Sequence, residues 1–190
     1  MVDRARRRLA RSPNTSIVVA DGQWLSFEDG SFDTELCSVG LMFFPDPAGG
    51  LAEFHRVLRE GGRVAVSVTT TPERSYNGRI NVIIARHVPS LAEATARTFS
   101  LGDDARLRSL FEGAGFEEVE TTTVAHRFVL PSFEDYFRPF EQGGGSSGQA
   151  YVMLPEQERQ AVREEVRRNV GDLGGPIAVD VELRFASGQR

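Results

Sequence analysis

The sequence contains no lysine: all 22 of its basic residues are arginine. That excludes any mechanism built on a lysine, including Schiff-base chemistry and the phosphate-binding P-loop, and it points to a GC-rich bacterial genome. Cysteine is nearly absent as well. The single Cys37 rules out an internal disulfide and fits a reducing compartment. Long apolar runs are missing too: SIVVA, from Ser16, is far too short to span a membrane or to form a signal-peptide core. These absences predict a cytoplasmic protein with no membrane partner. The net charge of −5 supplies no positive field for nucleic acid, which is excluded as a partner. The one basic run, RARRRLAR from Arg4, reads as a solvated helix face, because Ala5 and Leu9 sit four apart among the arginines. The three histidines, His55, His87 and His126, have no metal-ligand spacing, so no metal is predicted. His55 reads as a packed or surface imidazole.

What is present follows an α/β plan on a chain of 190 residues, the size of one domain. Residues 2–11 read as the end of a helix, broken at Ser12-Pro13-Asn14. Residues 15–20 are β-branched and predict a buried strand. A second strand is expected over Thr34–Gly40. Asp46-Pro47 is a helix start, with Asp as N-cap and Pro in the first turn. The stripe Leu51, Phe54, Val57 and Leu58 follows, Gly61-Gly62 is expected to end the helix, and Arg63–Val68 is a third strand. This is the strand–helix–strand crossover unit of an α/β fold.

Asp103 or Asp104 caps a further helix with Leu107, Leu110 and Phe111 inward. Gly113 or Gly115 stops it before a long strand over Phe116–Leu130. Ser132 with Asp135 forms a capping box. Glu141–Ala150 reads as a loose linker. Pro155 opens a polar helix with Val162, Val166 and Val170 spaced by four, and Ile177–Ala186 alternates as a final strand. The late strands predict an antiparallel edge on a mostly parallel sheet.

The glycines carry little chemistry of their own. The one literal Gly-x-Gly-x-x-Gly, at Gly143, Gly145 and Gly148, follows a helix rather than a strand and reads as a flexible loop, because the dinucleotide fingerprint needs glycines between a strand and a helix. Asp21 is different. It ends the expected buried strand and precedes Gly22, and ligands bind at the carboxyl ends of strands in open α/β sheets. It is either an acceptor for an amine or hydroxyl of a ligand or a turn residue. Trp24 either covers a ligand or caps the core. Cys37, inside a strand, reads as a core residue.

The stretch VVADGQWLSFEDGSFDTELCSVGLMFFPDPAGGLAEFHRVLREGGRVAVSV resembles the middle of a class I S-adenosylmethionine-dependent methyltransferase. It is most similar to the group that includes the ubiquinone and menaquinone biosynthesis enzymes. The carriers are an Asp ending a strand, then Asp-Gly-Ser-Phe-Asp, a strand, a Pro-Asp-Pro helix start and the Arg-Val-Leu…Gly-Gly turn before another strand. Ser26 stands where the family usually has Pro. The later LRSLFEGAGFEEVE and VDVELRF resemble its last helix and antiparallel strands. The resemblance implies S-adenosylmethionine as cofactor and a small-molecule methyl acceptor. It implies that Asp21 accepts from the adenine amine, with Gly22 and Gln23 beside it. Ser38, Val39, Gly40 and Leu41 would line the methionine end. Met42, Phe43 and Phe44 would lie nearby, and residues 70–100 and 131–172 would form a substrate lid on a single domain spanning 1–190. It assigns no catalytic residue.

The family places a strand, a Gly-x-Gly-x-Gly loop, a helix and a second strand ending in a ribose-binding acid before this region. The sequence holds none of these. Asp3 lies past the ribose position, and Met1 stands where the family often has an internal methionine. The resemblance therefore implies a Rossmann-like fold incomplete at its N-terminus, with the strand at Thr34–Gly40 left without one neighbour. Three outcomes are open for that edge: residues 15–20 collapse onto it, a second copy covers it in a homodimer, or the fold is marginal. Residues 1–190 alone are expected to bind S-adenosylmethionine weakly or not at all. The alternative to an enzyme is a non-catalytic, truncated methyltransferase-like chain acting as a binding or dimerisation module.

Overall fold

The computed structural model describes residues 2–190. The expectation about Met1 lies outside them. Helix α1 (Val2–Leu9) carries Asp3 in its first turn and arginines in its last, the polarity that suits a helix dipole. The next regular element is strand β1 (Phe32–Ser38).

Residues 15–20 do not form the expected buried strand. They run as irregular chain, with Val18 and Val19 exposed. A β-branched run becomes a strand only where a partner supplies hydrogen bonds, and no described strand lies beside it. Asp21 accordingly does not end a buried strand but opens an exposed turn. Residues 15–20 also do not collapse onto β1, which is the edge strand of the sheet with Leu36 75% exposed.

Helix α2 (Pro47–Val57) starts as expected. The Asp46 carboxylate accepts from the Gly49 N–H at 3.0 Å, and Leu51, Phe54 and Val57 are buried. It ends at Val57, before the glycine pair. Strand β2 (Leu58–Thr69) begins immediately and contains Gly61 and Gly62. The glycines serve the turn into the sheet instead: Gly61 has φ 72°, and Gly62 lies against the carbonyls of Arg59 and Asp33, where a side chain would collide.

Helices α3 (Gly78–His87) and α4 (Ala92–Phe99) follow, then α5 (Asp104–Gly113), capped by the Asp103 side chain on the Arg106 N–H. Strand β3 (Glu117–Leu130) leads to α6 (Phe133–Glu141), where Ser132 and Asp135 form the expected cap. Helix α8 (Glu156–Val170) buries Val162 and Val166 and ends on a left-handed Gly171. Strand β4 (Ile177–Gln189) completes the sheet.

The expected linker is helix α7 (Gly145–Met153). Its glycine-rich composition reads as flexible, yet Gly144 and Gly148 are in close contact with their neighbours, while Gly143 and Gly145 take positive φ. Gly148 is buried and backs onto Gly143 and the Phe140 carbonyl, with room for no Cβ. Tyr151 packs edge-on to Phe137 at 5.2 Å.

The sheet order is β1-β2-β4-β3. Strands β1 and β2 are parallel, with Thr34 opposite Arg63 and Ser38 opposite Ser67. Strands β3 and β4 pair antiparallel along nearly their whole lengths, with His126 opposite Val181, and β4 also pairs antiparallel with β2. The α/β sheet is thus parallel at its start and carries the expected antiparallel pair of late strands, but β4 also meets β2 antiparallel, so one of the three pairings is parallel rather than most of them. One apolar cluster lies between the sheet and α2 and α5, around Leu51, Phe54, Val66, Leu107 and Phe111. Cys37 packs against it, and burial pushes its thiol pKa up. A second cluster joins α3, α6, α7, α8 and the start of β4, around Ile80, Ile84, Phe137, Val166 and Ile177.

Candidate functional site

The site is built where β1 and β2 end together. After Ser38 the chain turns sharply: Val39 has φ 52°, a left-handed backbone that a β-branched residue adopts at a cost. Two bonds from the neighbouring strand hold it there. The Val39 N–H donates to the Ser67 carbonyl at 2.9 Å and to Ser67 Oγ at 3.1 Å. Ser38 Oγ lies 3.3 Å from Ser67 Oγ. Gly40 follows, so close to Cys37 that a Cβ would stand 2.9 Å from its sulfur. A short 3-10 turn, Leu41–Phe43, then buries Leu41 and Met42.

The Asp21 turn stands beside this turn. The Trp24 N–H donates to the Asp21 carbonyl at 3.0 Å, and Asp21 Oδ1 accepts from the Gln23 N–H at 2.9 Å and from its Nε2 at 3.3 Å. Gln23 Oε1 accepts from the Asp46 N–H at 2.7 Å, which fastens the turn to the start of α2. Gly22 rests on the Phe44 ring, where a Cβ would come within 2.3 Å of Cζ. Asp21, Gly22 and Gln23 thus meet the stretch after Ser38, Val39, Gly40 and Leu41 through Phe44 and Asp46. Trp24 is 83% exposed, so it does not cap the core.

Sequence reasoning missed the clamp beneath this loop. Arg56 donates to the carbonyls of Phe27 at 2.8 Å and Leu25 at 2.9 Å, to Asp29 Oδ1 at 2.5 Å and to Glu53. Glu53 Oε1 accepts from the Leu25 N–H at 3.0 Å. The hydrogen bond from Arg56 is the main reason the Glu53 carboxyl sits below the usual carboxylate range. The only sequence signal is an acid and a base three apart on α2, which does not reveal that they hold a loop. On β1, Glu35 lacks such a partner: its Oε2 is buried without a hydrogen bond among the described residues. Burial, with the Glu53 charge second, pushes its pKa up to about 7.

Beyond the strand ends lies a cavity of about 390 Å³. Val39, Met42 and Phe43 form its floor with Thr69 of β2, whose hydroxyl donates to the Thr98 carbonyl at 3.2 Å. Residues of α3, α4, α7 and β4 close it, among them Asn81, Phe99, Ser147 and Leu183. His55 lies apart, edge-on to Phe116 at 5.1 Å, its pKa lowered by burial and then by Arg190. Among the described residues, no group of three or more His, Cys, Asp or Glu side chains could hold a metal. No described helix is long and apolar enough to cross a membrane.

The family model of the methyltransferase domain matches residues 1–66. A demethylmenaquinone methyltransferase of Clavibacter sepedonicus is 31% identical over 151 residues, which covers 70% of this chain and 61% of that protein. The chain therefore spans about three fifths of that relative's length. Among solved structures, the YcgJ protein from Bacillus subtilis superposes with a TM-score of 0.61 at 16% identity, covering 100% of this chain and 78% of that one. Phosphoethanolamine N-methyltransferase 2 of Haemonchus contortus was solved with phosphomonomethylethanolamine and S-adenosylhomocysteine. It superposes with a TM-score of 0.53 at 12% identity, covering 98% of this chain and 40% of that one. Residues 1–66 thus match the methyltransferase domain, and along nearly all its length the chain shares the fold of solved methyltransferases.

Proposed function

We propose that this chain takes part in methyl transfer from S-adenosylmethionine to a small-molecule acceptor, as one methyltransferase-like domain over 1–190. In this reading residues 70–100 and 131–172 form the lid over the acceptor. One observation carries it: Val39 belongs both to the strand-end turn and to the cavity wall. A cofactor held along Ser38–Leu41 would therefore face an acceptor in the cavity.

The residues present fit such a cofactor. Asp21 is exposed, and its Oδ2 has no hydrogen bond among the described residues, so it is free to accept from an amine. Gly22, half-buried, fits against the Phe44 ring because it carries no side chain. Leu41 is fully buried and can contribute only backbone. When bound, the cofactor supplies a sulfonium-activated methyl group. The chain supplies proximity and alignment, the main requirements of an in-line displacement. The open edge of β1 is proposed to pair with a second copy in a homodimer, and the lone half-buried cysteine supports a cytoplasmic setting.

The test is a titration of S-adenosylmethionine into residues 1–190, followed by backbone amide NMR. These residues hold no glycine loop between a strand and a helix, so two or three polar contacts are missing at about 1.5 kcal/mol each. Binding should then be in the millimolar range. Shifts should centre on 21–23 and 38–41 and vanish in Asp21→Ala, which loses roughly 1.5–3 kcal/mol. Shifts confined to other regions would refute the site.

A further inference from the structure

We propose that the cavity beyond Val39 accepts an uncharged, largely apolar molecule bearing one neutral hydrogen-bonding group at the cavity mouth. This rests on the reading of the cavity as the acceptor site and specifies what that acceptor is.

None of the lining residues is Asp, Glu, Arg or His, although 26% of the chain is charged. The strand alternation explains how neutrality is kept. Val181 and Leu183 of β4 line the cavity, while Glu182 between them points to the other face of the sheet and pairs with Arg74 at 2.9 Å. The interior is apolar, with Met42, Phe99 and Leu183. Tyr76 is the one ionisable group in the wall, and burial pushes its pKa up, so it stays neutral at physiological pH.

The polar lining is uncharged throughout: the hydroxyls of Thr69, Ser75, Thr95 and Thr98 lie in the wall, and four more polar side chains gather at one end. Asn77 and Ser146 are exposed, Asn81 is half-buried and Ser147 is buried, and all four also line an adjoining cavity that shares Phe43. They therefore ring the mouth between the two spaces. None of the four side chains forms a hydrogen bond within the described residues. Amides and hydroxyls both donate and accept, so they suit a hydroxyl, carbonyl or amide of a ligand. An ion entering would lose its water and meet no opposite charge.

The test uses three probes of one shape: 4-phenyl-1-butanol, 4-phenylbutyrate and 4-phenylbutylammonium. Each is titrated into the chain without cofactor and followed by ligand-observed NMR. The alcohol should bind roughly ten-fold or more tightly than either ion. Asn81→Ala should weaken the alcohol several-fold. Thr95→Asp, which places a carboxylate in the wall, should raise ammonium binding above that of the alcohol. If Thr95→Asp fails to fold by circular dichroism, the Asn81→Ala comparison decides. Equal binding of either ion, no binding of any probe, or alcohol binding unchanged in Asn81→Ala would overturn the proposal. Selective alcohol binding without the cofactor-induced shifts sinks the cofactor reading alone, and the reverse pattern sinks this one alone.

Discussion

Val39 is joined twice to Ser67, through its N–H to both the carbonyl and the hydroxyl oxygen. The pair fixes a left-handed residue at the point where the sheet meets the cavity. A Cβ at φ 52° is strained whatever its size. Val39→Gly should therefore be more stable than Val39→Ala, by roughly 1 kcal/mol, the reverse of the usual order in strands. Urea unfolding of the two variants decides; Ala above Gly would mean the turn relaxes freely.

Ser67→Ala removes the hydroxyl bond to Val39 and the contact with Ser38 but leaves the carbonyl bond. We expect a loss of about 1 kcal/mol and no change in the β1–β2 register. The same denaturation series, with amide chemical shifts of 34–38, measures both.

Glu35 gives the fold a pH dependence with a definite sign. Its folded pKa, about 7, lies above the ordinary carboxylate value of 4.5. Between those two values the folded state binds more protons than the unfolded state, so this group lowers stability as pH rises from about 4.5 to 7. Glu35→Gln should remove that slope and stabilise the protein at pH 8 by about 1–2 kcal/mol, after allowance for solvent screening. A thermal unfolding series from pH 5 to 8 on both proteins checks it; parallel curves would contradict the assignment.

Arg56→Ala should release the loop without unfolding the sheet. Amides at 25–30 should exchange faster with deuterium, while those of β2 keep their protection. A uniform rise across the protein would show that Arg56 supports the whole fold instead.

Gly148 tests the helix found where a linker is expected from composition. Gly148→Ala forces a methyl to within 2.9 Å of the Gly143 backbone, and the two helices must separate. A loss of roughly 1–3 kcal/mol is expected, with amide shift changes concentrated in α6 and α7. A neutral substitution would mean that α7 does not pack as described.

Local chemistry was what the sequence made legible. Asp46, Asp103 and Ser132 cap helices where their side chains predict, because a cap needs only residues within one turn. The alternation of β3 and β4 was readable for the same reason. Residues 15–20 show the limit: Val18 and Val19 have the right side chains for a strand, but a strand is a relation between two segments. Helix α7 fails in the opposite sense, since Gly148 signals close approach to Phe140 only once Phe140 is in place. Motif resemblance picked out the turns at Asp21–Gln23 and Ser38–Leu41. The cavity could not be read, because its wall joins residues as far apart as Val39, Asn81, Ser147 and Leu183.

Strand β4 follows both of its sheet neighbours in sequence yet lies between them. It also gives Ala186 to one apolar cluster and Ile177 and Val179 to the other. On a ribosome, every other described element emerges before the strand that joins them. Until β4 arrives, β2 has an open edge, β3 has no partner at all and each cluster lacks a wall. A nascent chain stalled short of Ile177 would present sticky β edges rather than a half-built protein. Folding of this domain would then be a late event, triggered by its last strand and most exposed to chaperones just before it.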